Sequence, residues 1–152
     1  KSYCNILLKL YSKKPLIIKK KSYYSVRLTS KVVVLDLLNY ASFGLKEWSI
    51  PLLSSNKERI NWLKGFFSAE AYVGKDCIKI QTVNKKGMKQ VSNLLNKLDI
   101  EHKEYFYSPL KKNYSKVYII SILKKSSRMR YLNKIGFFHE KKRDKLRETL
   151  SL

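Results

Sequence analysis

An α+β fold is predicted by three features of the sequence. Ser55 followed by Glu58 forms a capping box, and Ile60, Leu63, Phe66, Phe67 and Ala69 follow at helical spacing, giving a helix that ends near Ala71. Met88, Val91, Leu94, Leu95 and Leu98 form one apolar stripe, giving a second helix over about 86–98. Between and after these helices lie short alternating runs that read as strands, at 78–83 and 117–123.

From the N-terminus, Cys4, Ile6, Leu8 and Leu10 alternate with Asn5, Leu7 and Lys9, which predicts a strand. Pro15 interrupts it. Tyr24, Val26 and Leu28 then alternate with Tyr23, Ser25, Arg27 and Thr29, predicting a strand that hides its apolar face. Ser30 is a good N-cap for a short helix from Val32 to Phe43, stopped by Gly44. Leu45 to Leu53, with Pro51, is a connector. After the capping-box helix come a hairpin (71–73 and 78–83), the striped helix and strands near 104–107 and 117–123. Helices at 128–135 and 140–150 close the chain. Residues 55–138 thus read α-β-β-α-β-β-α, and residues 1–43 read β-β-α, like the tail half of a first copy. The expected domains are 1–53, a partial half lacking its opening helix, and 54–152, a complete one.

With 152 residues, 44% hydrophobic and 12% aromatic, the chain can bury a core and is not disordered. Its 33 Lys and Arg against 11 Asp and Glu give a net charge of +22, which points to a polyanionic partner, nucleic acid first. Lysine runs at 19–21, 111–112, 124–125 and 141–145 interleave with eleven tyrosines, a pattern suited to phosphate contact. No run nears the ~18 apolar residues of a membrane span, so no membrane partner is expected. Cys4 and Cys77 are far apart, which excludes a disulfide framework and a zinc finger; they read as small hydrophobes in strands. His102 and His139 read as lone surface or turn residues.

The chemistry concentrates at Trp62-Leu63-Lys64-Gly65-Phe66-Phe67-Ser68-Ala69-Glu70-Ala71. Gly65 and Ala69 lie four apart on one helix face, where small side chains let a second helix approach closely. Glu70 falls in the last turn, facing the negative end of the helix dipole at a cost of ~0.3–1 kcal/mol. An ordinary surface carboxylate accounts for it, and so does a bound hard cation such as Mg²⁺ or Ca²⁺.

Leu63 to Ala71 resembles the LAGLIDADG motif of homing endonucleases, site-specific DNA-cleaving enzymes of mobile introns and inteins. Tyr24 to Lys31 looks like the last strand and helix start of that family's first domain. Asn84-Lys85 and Leu94 to Ile100 look like the turn and helix after its first hairpin, and Ile135-Gly136-Phe137 before a basic stretch is similar to archaeal and intein members.

The resemblance implies a curved antiparallel sheet with helices on one face, and a Mg²⁺-dependent endonuclease acting on double-stranded DNA, with Mn²⁺ or Ca²⁺ as substitutes. It implies Glu70 as catalytic metal ligand together with the backbone carbonyl of Ala71, and Gly65, Ala69 and Phe66 at a helix-pair interface. DNA contact falls on Tyr23, Ser25, Arg27, Thr29, Lys75, Lys79, Gln81, Asn84 and Lys85. Paired carboxylates are needed for such a site, and only one motif is visible, so the second helix is expected from a homodimer partner or a segment before Lys1. The opening on Lys1 and the N-terminal β-β-α remnant favour the segment. Ala71 stands where the family has Gly and Ser68 where Asp is common. An ungapped reading puts Val73 and Thr82 at positions that usually carry a basic and a polar residue. The alternative is a catalytically decayed DNA-binding module or an RNA splicing helper on the same fold. The setting expected is intracellular, the cytoplasm of a prokaryote or archaeon or else an organelle.

Overall fold

The computed structural model describes residues 2–21, 23–42, 44, 46–110 and 114–151. The chain divides into two units, Lys1–Tyr40 and Ala41–Leu152. The boundary falls earlier than residue 53, because the connector belongs to the second unit. Trp48, Ile50 and Leu53 pack against its core, and Ile50 N donates to Gln90 Oε1 at 3.0 Å.

The first unit holds α1 (Ser2–Tyr11), β1 (Leu16–Lys19), β2 (Tyr24–Arg27) and α2 (Lys31–Tyr40). The segment whose alternation predicts a strand is therefore the helix α1. Cys4, Leu7 and Tyr11 are its half-buried residues, spaced i, i+3, i+7, so a helical period overrides the apparent period of two. Strands β1 and β2 form an antiparallel ladder from Leu16↔Arg27 to Lys19↔Tyr24. The expected inward face of β2 is not buried: Tyr24 and Val26 are exposed and Ser25 is half-buried. Two four-residue strands are too small to bury a face on their own.

The second unit runs α3 (Asn56–Glu70), β3 (Tyr72–Val73), β4 (Ile78–Thr82), α4 (Lys85–Lys97), β5 (Lys103–Tyr107), β6 (Val117–Ile122), α5 (Lys125–Lys134) and α6 (Glu140–Leu150). Its sheet is antiparallel with order β3-β4-β6-β5. The inward residues Ile78, Ile80, Ile120 and Ile122 are buried together with Leu63 and Phe67 of α3 and Val91 and Leu95 of α4. Tyr131 of α5 and Leu146 and Leu150 of α6 complete this core. Burial pushes the Tyr131 hydroxyl well above the usual phenol range, and it donates to Gly136 O at 3.0 Å. Gly136 ends α5 at φ +66°, a left-handed position that suits glycine.

Helix α3 starts as the sequence dictates. Ser55 Oγ accepts from Glu58 N at 3.2 Å, and Glu58 Oε2 accepts from Ser55 N at 3.0 Å and Ser54 N at 2.7 Å. These backbone bonds hold the Glu58 carboxyl below its ordinary range. Trp48 lies across the first turn of α4, and a Cβ at Gly87 would come within 2.5 Å of its ring. Among the described residues, no helix is long and apolar enough to cross a membrane.

Candidate nucleic-acid interface and motif helix

The motif helix α3 buries Leu63 and Phe67 against the sheet and leaves the opposite side less covered. Gly65 is half-buried and Ala69 exposed, and a Cβ built on Gly65 meets no atom within 4 Å. The small-residue face predicted from the spacing is thus open along the helix. Phe66 does not belong to that face alone. Its ring stacks on Trp62 with centroids 4.9 Å apart and packs on Trp48 at 5.2 Å, inside an aromatic cluster of its own unit.

Glu70 is exposed at the last helical position, and Ala71 is the buried C-cap, its N–H donating to Phe67 O at 3.0 Å. The last turn of a helix leaves carbonyls without partners. Here Lys142 of α6 supplies them: its Nζ donates to Ser68 O at 2.8 Å and to Ala69 O at 3.1 Å. Burial lowers the Lys142 ammonium pKa, and the nearby Glu70 charge works against that shift. A second tie comes from the segment before α6, where Phe138 N donates to Ser68 Oγ at 2.8 Å. Ser68, read as a departure from an acidic motif position, is therefore a structural anchor for this joint.

Glu70 is a hard oxygen donor suited to Mg²⁺ or Mn²⁺. Among the described residues no group of three or more His, Cys, Asp and Glu side chains gathers that could hold a metal ion, and Glu70 is one carboxylate donor. Val73 is buried in β3 and Thr82 is half-buried, accepting from Asn84 N at 3.2 Å.

On the sheet, Gln81 is exposed and Lys79 half-buried, paired with Ile119 and Ser121 on β6. These two share one strand face, as alternation predicts. Lys75 is exposed in the β3–β4 turn, whose backbone is held by Arg128 Nη1 donating to Lys75 O at 2.9 Å. Lys85 is exposed at the start of α4. Asn84 is a correction: it is 2% exposed, its Oδ1 accepts from Gly87 N at 2.9 Å and its Nδ2 donates to Trp48 O. It caps α4 and leaves no amide group for DNA. Tyr23, Arg27 and Thr29 are exposed and Ser25 half-buried, all four in or beside β2 of the first unit.

Cys4 and Cys77 are free thiols, both half-buried; Cys4 lies in a helix and Cys77 just before β4, not within strands. His102 is not a surface residue: its side chain is 4% exposed, with Nδ1 donating to Ile100 O at 2.9 Å and Nε2 2.9 Å from Ser92 Oγ. Two features were beyond sequence reasoning. Lys142 reaches Ser68 across 74 residues, and a cleft on the outer sheet face is lined by Tyr105, Tyr107 and Ile119. The only sequence signals for them are a basic helix after the motif and an aromatic run at 105–107.

The fold is shared with solved structures of the homing endonuclease I-DmoI. The complex of I-DmoI with DNA and Mn superposes with a TM-score of 0.61 at 20% identity, covering 86% of this chain and 68% of that one. Mesophilic variants of I-DmoI match at 0.61 and 20%, over 88% and 68%. A variant of I-DmoI with its target DNA in the presence of Mg matches at 0.60 and 20%, over 86% and 68%. No curated protein matches the chain. The model of the LAGLIDADG-like domain matches residues 57–136, which hold α3, the whole four-stranded sheet, α4 and α5. With the motif helix, the sheet order and this match in agreement, the chain belongs to the LAGLIDADG-like domain family.

Proposed function

We propose that the chain acts in site-specific cleavage of double-stranded DNA, supplying one of two acidic motif helices to a shared centre. The observation that carries this reading is Glu70, exposed at the end of α3 beside the open face of Gly65 and Ala69. A carboxylate at the negative end of a helix is stabilised by a cation, and a second helix docked on the small residues would bring a second carboxylate to it. A divalent ion held there would make water a stronger nucleophile and stabilise the leaving oxygen. The chain's own part is to hold Glu70 rigidly, through the Lys142 and Phe138 bonds to the last turn, and to seat the duplex. Lys75, Lys79, Gln81 and Lys85 of the second unit, and Tyr23, Ser25, Arg27 and Thr29 of the first, are proposed to meet DNA, with Gln81 and the Lys79 ammonium suited to base edges in the major groove. Mg²⁺ is the proposed ion, with the Ala71 carbonyl beside Glu70 as a further ligand. The second helix comes from a homodimer partner or another segment.

The test is cleavage of a duplex pool containing candidate insertion sites, with Mg²⁺. Glu70→Gln is expected to retain the duplex and lose all cutting; a variant that cuts normally would overturn the assignment. Buried Val73, at a position expected to be basic, favours a second reading in which the chain binds nucleic acid without cutting it. Selective retention by the wild type with no cleavage under any divalent ion would establish that reading.

A further inference from the structure

Helices α3, α5 and α6 meet on the side of the sheet that carries the core, and a cleft of about 530 Å³ opens between them. Lys64 of α3, Lys134 at the end of α5, and Arg143 and Arg147 of α6 line it, as do the amide side chains of Asn61 and Asn133. Among the described residues no Asp or Glu lines this cleft, and neither does any residue proposed to meet DNA. It is a separate concentration of positive charge, on the helical side of the unit.

Helical spacing builds it. Asn61 and Lys64 lie three apart on α3, and Arg143 and Arg147 four apart on α6, so each pair shares a helix face. Leu63 and Phe67 of α3 and Leu146 and Leu150 of α6 turn into the core, which leaves the polar pairs at the gap. Like charges so placed repel, and little within the protein offsets them. Lys64 Nζ lies 4.8 Å from the Phe138 ring centroid, and among the described residues no carboxylate pairs with Lys64 or Arg147. Arg143 spends only Nε on Asp144 Oδ1, at 3.3 Å, and its other nitrogens stay available. Lys134 is tied to Leu98 O and Asp99 Oδ2, so its part is mainly electrostatic.

One ammonium and two guanidinium groups with spare donors, set around a small hollow, match a compact ligand of high negative charge. An acidic peptide spreads its carboxylates along a chain rising roughly 3.3 Å per residue, with successive side chains on opposite sides, and so brings few of them into such a space. A triphosphate gathers several charges in one short chain, and its paired oxygens suit the arginine fork. We propose that this cleft binds a triphosphate group, free as inorganic tripolyphosphate or carried by a nucleoside, with Lys64, Arg143 and Arg147 on its oxygens. The inference is independent of the cleavage reading and uses none of the residues assigned there.

The experiment is isothermal titration calorimetry of the full chain in about 150 mM salt without divalent metal, a strength that screens diffuse surface charge. The probes are inorganic tripolyphosphate, adenosine triphosphate and hexaglutamate. Tripolyphosphate is expected to bind at one site, and Arg147→Gln and Lys64→Gln each to weaken it about ten-fold, the loss of one charge-assisted contact. Lys86→Gln removes the same charge from α4, outside the cleft, and should change binding less than about two-fold. Arg147 is exposed, so its variant should fold, and circular dichroism melting checks each protein. Adenosine triphosphate binding more tightly than tripolyphosphate supports a nucleotide, held also by Asn61 and Asn133; equal binding supports the phosphate chain alone. Absent binding would overturn the proposal, as would equal losses in all three variants or hexaglutamate bound as tightly as tripolyphosphate. Any of these failures leaves cleavage by the same chain untouched.

Discussion

Lys142 Nζ donates to the carbonyl of Ser68 at 2.8 Å, so a residue of the last helix closes the C-terminal turn of the motif helix. The same ammonium reaches Ala69 O at 3.1 Å. Replacing it with Met keeps much of the stem and removes both bonds. A bond from a charged donor is worth roughly 1.5–3 kcal/mol when its partner is left unmet, and partial exposure reduces this, so Lys142→Met should cost about 1–2 kcal/mol. The urea midpoint measures it; an unchanged midpoint would show that the turn is held by other means.

Gly65→Leu separates folding from assembly. A Cβ at Gly65 meets nothing within 4 Å, and the residue sits inside a helix where glycine costs roughly 0.5–1 kcal/mol relative to Ala. The isolated chain should keep or slightly raise its melting temperature. If a second motif helix docks on this face, cleavage and self-association should both disappear. A Leu variant that cuts like wild type would mean that this face is not the docking surface.

Gly87 has the opposite surroundings. Its would-be Cβ lies 2.5 Å from Trp48 ring carbons, and Ala there forces the ring off the first turn of α4. Overpacking of this kind costs about 1–3 kcal/mol. The Asn84 cap, whose amide also holds Trp48 O, should loosen with it. Denaturant midpoints of Gly87→Ala alone and with Trp48→Ala would show the coupling, since the double variant should recover part of the clash.

Glu104 sets part of the acid limit of the second unit. The Ser92 hydroxyl donates to its carboxylate at 2.6 Å and lowers its pKa from the ordinary 4.5, with Lys89 adding to the effect. A carboxylate lowered on folding contributes stability that is present above its unfolded pKa and is lost as pH falls through its folded pKa. Stability should therefore fall below about pH 4.5, less steeply in Glu104→Gln. The side chain is 41% exposed, so solvent screening limits the difference to under about 1 kcal/mol. Identical acid profiles for the two proteins would remove Glu104 from the account.

Most of the second unit was legible because its signals were local. The Ser55–Glu58 box, the Met88-to-Leu98 stripe and the alternating isoleucines of β4 each specify one element. The N-terminal helix is ambiguous in the sequence, because Cys4, Ile6, Leu8 and Leu10 fit a period of two while Cys4, Leu7, Leu8 and Tyr11 fit a helix, and ten residues do not decide between them. Of the second set, Cys4, Leu7 and Tyr11 are half-buried in the structure and Leu8 is exposed. Asn84 is ambiguous for a different reason: a polar residue in a turn reads equally as a ligand contact or a cap. Only the position of Trp48 O and Gly87 N decides, and Trp48 is 36 residues away. The Lys142 clamp is longer-range still, and no spacing rule reaches across it.

Both tryptophans of the chain, Trp48 and Trp62, lie in the second unit, with ring centroids 6.4 Å apart and Phe66 against each. The first unit has tyrosines but no tryptophan. Nature has thus placed an intrinsic optical probe on one unit alone. Indole emission will report the opening of the strap over α4 and the melting of the motif helix, while loss of the first unit passes silently at that wavelength. Comparing indole emission with far-ultraviolet ellipticity during one titration will therefore show whether the two units come apart together or in sequence.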